Sequence, residues 1–194
     1  MRKAPELAFF ESRERMAGVT LLELLVVIAV AAILMSVATS SYKSITLSSR
    51  ISGEINGLLG DMQYARSEAI KQGQNVVICV SSDGVTCMLN NYNWNQGWIV
   101  FVDPTGAKTT GGNAALVLRY QVAFSSNSAG GSSDTLTDGV TSNESFDREG
   151  IALSAGAVIP LHTTPVDATK TRCLEVTNVG NVSVQQPSTL ATCT

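Results

Sequence analysis

The chain is poor in the groups that carry out chemistry. It has one histidine, His162, and four cysteines with no Cys-x-x-Cys spacing, which argues against a zinc site built from nitrogen and sulfur ligands. Its many serines include no Gly-x-Ser-x-Gly elbow, and no second base stands beside the lone histidine, so a hydrolase triad is not expected. Asp134, Asp138, Glu144, Asp147 and Glu149 gather in sequence, but their spacing matches no calcium loop and reads as solvated turns. Charge is scarce too, with 13 Lys and Arg against 16 Asp and Glu and a net −3. These absences point to a structural protein with no cofactor and no metal, not to an enzyme.

What the chain does have is a concentrated apolar run. Between Arg15 and Lys43 the only charged residue is Glu23. A helix needs about 20 apolar residues at 1.5 Å each to cross a bilayer, so residues 19–39 are expected to span a membrane. A carboxylate in hydrocarbon costs on the order of 2.5–3.5 kcal/mol, and Glu23 is therefore expected to meet a partner. The basic segment 1–18 stops before the apolar run begins. A secretory signal peptide is cut behind its apolar stretch, so that reading fits worse.

Gly18-Val19-Thr20-Leu21-Leu22-Glu23, running into Leu24-Leu25-Val26-Val27-Ile28, resembles the type III signal of type IV pilins and secretion pseudopilins. It departs from that pattern only at Val19, where Phe is commonest. The resemblance implies cleavage between Gly18 and Val19 by a prepilin peptidase, which also methylates the new amine of Val19. It further implies that Glu23, fifth in the mature chain, pairs with the amine of a neighbouring subunit during assembly; paired charges tolerate burial. The leader, 1–18, is long for this class, and a start at Met16 would leave the mature chain unchanged. Loss of the leader removes four basic and three acidic residues and leaves a net −4.

A positively charged leader stays in the cytoplasm and sends the chain beyond the span outward, where disulfides persist. Four cysteines allow three connectivities, of which the local one is favoured: Cys79 with Cys87 and Cys173 with Cys193. Each would close a short loop and stabilise by about 2–3 kcal/mol. Roughly 150 residues lie beyond the anchor, enough for one domain.

The helical pattern continues past the apolar run. Ile51, Ile55, Leu58, Leu59, Met62, Ala65, Ala69 and Ile70 recur at spacings of three and four, with Arg50, Glu54, Asp61, Arg66 and Lys71 mostly off the stripe. One helix over 19–72, about 80 Å long, is expected, apolar all round over 19–39 and amphipathic over 40–72. Gly53, Gly57 and Gly60 cost that helix about 1 kcal/mol each relative to Ala, for close approach of strands or for a kink. Gly73 is placed to cap its C-terminus. Residues 73–194 then read as a β-rich domain. Strands are expected at 75–80, 85–89, 97–102, 116–124, 151–153, 158–162, 172–177 and 181–184, with 125–145 as a long exposed loop or a weak hairpin.

Arg66-Ser67-Glu68-Ala69-Ile70, then Val76 to Cys79, then Trp94 and Gly97-Trp98-Ile99-Val100-Phe101-Val102-Asp103, resemble the GspH/FimT/FimU family of minor pilins and pseudopilins. Phe146 to Gly150, Arg172-Cys173-Leu174 and the late Cys193 fit as well. The resemblance implies an α+β, pilin-like fold: a long N-terminal helix whose first half spans the membrane, packed on a C-terminal antiparallel sheet or sandwich. On the residues alone, Trp98 and Phe101 are core packing, and Arg66 and Glu68 secure helix to sheet.

Some FimT-like members bind DNA through Gly-Arg-x-Arg during natural transformation, and DNA uptake is the alternative function. The matching place here reads Gly180-Asn181-Val182-Ser183, without either arginine. From Arg119 onward the basic residues are Arg119, Arg148, Lys170 and Arg172 against seven acidic ones, a balance that repels phosphates. Lys170 and Arg172 are the only local candidates for a DNA contact. The reading is thus a non-enzymatic minor pilin or pseudopilin of the bacterial inner membrane, with its domain in the periplasm. Its implied partners are the peptidase-methyltransferase, other pilin subunits and membrane lipid, and it joins a type IV pilus or a type II secretion pseudopilus.

Overall fold

A computed structural model describes residues 18–124, 133–136, 141–154, 157–164, 167–186 and 193, with 37–41, 43, 133–136 and 163–164 described at the level of the backbone. The expected leader, up to residue 17, and Asp138 lie outside the described residues. The chain divides into two units, 1–44 and 45–194.

In the first unit, Gly18, Val19 and Thr20 lie outside any helix or strand and helix α1, Leu21–Gln72, begins. Thr20 caps it: the Glu23 amide donates to Thr20 Oγ1 at 3.2 Å, and the Leu24 amide to the Thr20 carbonyl at 3.1 Å. Among the described residues no helix is long and apolar enough to cross a membrane. Within the expected 19–39 span, side chains are described for residues 19–36.

The second unit starts on the same helix and continues into the strands. Gly73, at φ +65°, ends α1 and donates its N–H to the Ala69 carbonyl at 2.9 Å. The strands in chain order are β1 (Val76–Val80), β2 (Gly97–Val102), β3 (Val117–Val122), β4 (Ser133–Leu136), β5 (Asn143–Phe146), β6 (Val158–Thr164), β7 (Arg172–Val176) and β8 (Val182–Gln185). They make two antiparallel four-stranded sheets, in the orders β3-β2-β1-β5 and β4-β6-β7-β8.

One core joins helix and both sheets. Ile51, Ile55, Leu58, Met62, Ala65 and Ala69 of α1 are buried with Val76, Ile78, Val80, Trp98, Val100 and Phe146 of the first sheet and Ile159, Leu161, Leu174 and Val176 of the second. The opposite face of the first sheet has its own smaller cluster of Val77, Cys79, Ile99 and Phe101. Burial on both faces explains why β1 and β2 read as continuous apolar runs instead of alternating. Trp98 and Phe101 are core residues, on opposite faces. Gly97, at φ +97°, begins β2 where a Cβ would lie 2.4 Å from the Gln121 carbonyl oxygen, so only glycine lets β3 pair there.

Several expectations fail. Residues 85–89 form no strand, because β2 and β5 already occupy both edges of β1. They remain a loop tied down by the Met88 amide on the Val80 carbonyl at 2.8 Å and by Thr110 Oγ1 on the Val85 carbonyl at 2.6 Å. The stretch 125–145, expected as a long exposed loop or a weak hairpin, contains β4 and the start of β5, which lie in different sheets, and Glu144 and Ser145 are buried there. Residues 151–153 reduce to the single bridge Phe146↔Ala152. Close approach to the helix glycines is also overturned: a Cβ at Gly53, Gly57 or Gly60 would meet nothing within 4 Å.

Candidate functional site

At the start of α1 the sequence brings a cap, a charge and an apolar surface together. Thr20 and Glu23 have the Ser/Thr-x-x-Glu spacing of a capping box, a signal the hydrophobic pattern concealed. Glu23 is exposed in the first turn, where the positive end of the helix favours a carboxylate. Around it the large side chains from Val19 to Met35 are exposed; Leu22 is 73% accessible and Ile28 59%. Surface this apolar is unstable against water and calls for lipid or protein around it.

The second half of α1 is held to the first sheet by charge as well as by packing. Asp61, expected off the apolar stripe, is only 7% accessible. Its Oδ2 accepts from Trp98 Nε1 at 2.8 Å and its Oδ1 from Arg119 Nη1 at 2.5 Å, while the Arg119 guanidinium lies 4.3 Å over the Tyr64 ring. Asp61 raises the pKa of Arg119 first through that hydrogen bond. Nothing in the helical periodicity of Asp61 announces a partner 37 and another 58 residues away.

Arg66 does secure the helix, but to turns and not to a strand. Its Nε donates to the Gly150 carbonyl at 2.9 Å and its Nη2 to the Val179 carbonyl at 3.2 Å. Glu68 instead stays on its own helix and accepts from Gln72 at 2.7 Å and Lys71 at 3.1 Å, which lower its pKa in that order.

The cysteines are bonded locally. Cys79 joins Cys87 across a Cα separation of 5.7 Å and pins the loop after β1 to the smaller cluster. Cys173 joins Cys193 across 5.6 Å and ties residue 193 back to β7. Within the first of these loops, Asp83 is clamped by Thr86 Oγ1 at 2.5 Å and by the Thr86 and Val85 amides, which hold its carboxyl far below the usual range.

The described acidic and basic residues singled out in the sequence are engaged within their own turns or strands. Asp147 Oδ1 accepts the amides of Glu149 and Ile151 within its own turn, Glu149 is exposed beside Arg148 at 3.7 Å, and Glu144 is enclosed on β5. Among the described residues no group of three or more metal-ligating side chains is suited to a metal ion. Lys170 Nζ donates to Asp167 Oδ2 at 2.7 Å, which, with Thr169 adding to it, pulls the Asp167 pKa down to about 2. Arg172 Nη1 donates to the Thr169 and Thr171 carbonyls at 3.2 and 2.8 Å. Both cations are thus engaged locally, and neither they nor Gly180-Asn181-Val182-Ser183 supports DNA binding.

Comparison with known families places this arrangement. The model of the type II transport protein GspH matches residues 54–180, the stretch from the amphipathic helix through β7. The chain belongs to the GspH family. The prokaryotic N-terminal methylation motif matches residues 13–39, around the capped helix start. The crystal structure of the type IV minor pilin FimU of Pseudomonas aeruginosa (strain PAO1) aligns at 19% identity and TM-score 0.52, covering 70% of this chain and 88% of FimU. A second crystal form of FimU aligns at 19% identity and TM-score 0.48, with 67% and 88% covered. No curated protein matches the chain significantly. The likeness to FimU shows a shared α+β pilin fold. GspH-family membership with the methylation motif makes the chain a structural minor pilin or pseudopilin and implies a non-enzymatic subunit. The motif implies processing by a prepilin peptidase and assembly with other pilins.

Proposed function

We propose that the protein is a single-pass inner-membrane subunit with its domain in the periplasm, matured between Gly18 and Val19 and methylated on Val19. From the membrane it enters a type IV pilus or a type II secretion pseudopilus. In this reading 1–18 is the leader, 19–39 the membrane and filament-core half of the helix, 40–72 its amphipathic half and 73–194 the globular domain. The observation that carries it is the uncovered apolar surface from Val19 to Met35, with Glu23 exposed in the first turn. That surface is buried first by lipid and then by neighbouring helices. The Glu23 carboxylate, four positions after Val19, pairs with the methylated amine of another subunit and sets the register of entry.

The test is the intact mass of the chain purified from cells with and without a prepilin peptidase. The expected product begins at Val19 and carries one added methyl only when the peptidase is present. A chain left whole, or cut elsewhere, overturns the assignment.

A further inference from the structure

Glu144 is the one acidic side chain, among the described residues, that the assembly reading leaves unused and that the fold nonetheless encloses completely. It lies on β5 opposite Ile78 of β1 and is 0% accessible. Its Oε1 accepts two amides, from Ser145 at 3.1 Å and from Ser154 at 3.3 Å. Its Oε2 is buried with no hydrogen-bond partner. Two amides on one oxygen and none on the other suit a neutral carboxylic acid, whose carbonyl oxygen accepts both. An anion in the same place would keep charge on an oxygen with no donor, a larger loss.

The elements around it offer little to offset that charge. β1 presents Ile78, β5 itself Asn143 and Ser145, and the return after β5 Ser154. Earlier in that return are Asp147, Arg148 and Glu149, with Asp147 engaged in its own turn. Lys108, on the loop after β2, is the cation whose field favours ionisation.

The segment that Glu144 fastens is an edge. β5 pairs with β1 alone in the first sheet, carries Phe146 into the core, and leads into the turn whose Gly150 carbonyl receives Arg66. We propose that Glu144 is a proton-operated latch: while its carboxyl is neutral, residues 143–154 stay closed on β1 and the helix, and loss of the proton lets that segment open locally. Burial, set against the two amides, the Ser154 hydroxyl and the charge of Lys108, pushes the carboxyl up to about 7 from 4.5. The closed segment therefore holds the proton more tightly than the open one. Its closure is strongest below about 4.5, weakens as pH rises towards about 7, and changes little above that.

The experiment is amide hydrogen exchange on the full chain in detergent micelles across that pH range, corrected for intrinsic exchange at each pH. Peptides covering 143–154 are compared with β2 peptides. Protection of 143–154 is expected to be lower than that of β2 and to fall by up to about tenfold per pH unit through the window. Glu144→Gln, which keeps an amide carbonyl for the two donors and cannot ionise, is expected to remove that fall. Segment protection equal to that of β2, or a pH dependence that survives Glu144→Gln, overturns the latch. Should that variant not fold, Lys108→Asn decides, since Asn tolerates the φ of +54° at this position. Removing the cation is expected to carry the fall to higher pH, and an unmoved profile overturns the proposal.

Discussion

The apolar side chains of the two halves of α1 meet opposite fates. Leu22 in the first half is 73% accessible, whereas Leu58 in the second is 0%. The difference is supply of partners. The second half has a stripe matched by two sheets of its own chain; the first half is apolar on every side and has no matching surface in the described residues. Apolar side chains covered by their own chain stabilise the domain, while those left uncovered store a free energy that only lipid or another subunit releases.

The sharpest way to break this contrast is Glu23→Ala. It removes the one charge in the uncovered half, and losing one partner of a buried pair costs about 3 kcal/mol or more. Incorporation into filaments, read as the ratio of chain in sheared filaments to chain in membranes, should fall about a hundredfold with cleavage unchanged. Normal incorporation would refute the pairing role.

Truncation tests the same contrast through stability. Leu58→Ala is expected to cost about 3 kcal/mol in urea unfolding of the domain, within the usual range for a fully buried leucine. Ile28→Ala should change domain unfolding by less than about 0.5 kcal/mol, since its side chain is 59% accessible. Equal effects of the two would mean that the first half is covered by its own chain after all. Asp61→Asn keeps the shape but removes the charge facing Arg119 and should cost about 1–2 kcal/mol, because that hydrogen bond is charge-assisted. No loss would show that Leu58 and its neighbours alone hold the helix to the sheet.

The smallest expected effect has the opposite sign. Gly57→Ala meets open space, so it should stabilise the domain by about 0.5–1 kcal/mol through helix propensity. If filament incorporation falls while stability rises, the exposed glycine face is where a neighbouring helix packs.

Much of this was legible in the residues because the signals were local. Leu58 and Met62 follow from spacing, Gly73 from helix-end chemistry, and β1 and β2 from dense apolar runs. The errors were non-local. Residues 85–89 have strand composition, but pairing depends on a free edge, and β5 had taken it. Glu144 and Ser145 sit in a polar stretch that reads as solvent-exposed, yet Phe146 draws them into the sheet. Asp61 looked like a surface charge because Trp98 and Arg119 lie far along the chain.

The sequence by itself determined the signal at Gly18 and Glu23, the apolar run behind it, the two kinds of helix half and the β-rich character of residues 73–194. These depend on composition and on spacings of a few residues, which short-range physics reads directly. Tertiary structure alone decided which strands pair, which face of the sheet each cysteine pins, why the helix glycines stand open, and which carboxylates, Asp61 and Glu144, leave water. Each of those depends on what residues distant in sequence present to one another, and burial is a property of that meeting, not of any residue taken singly.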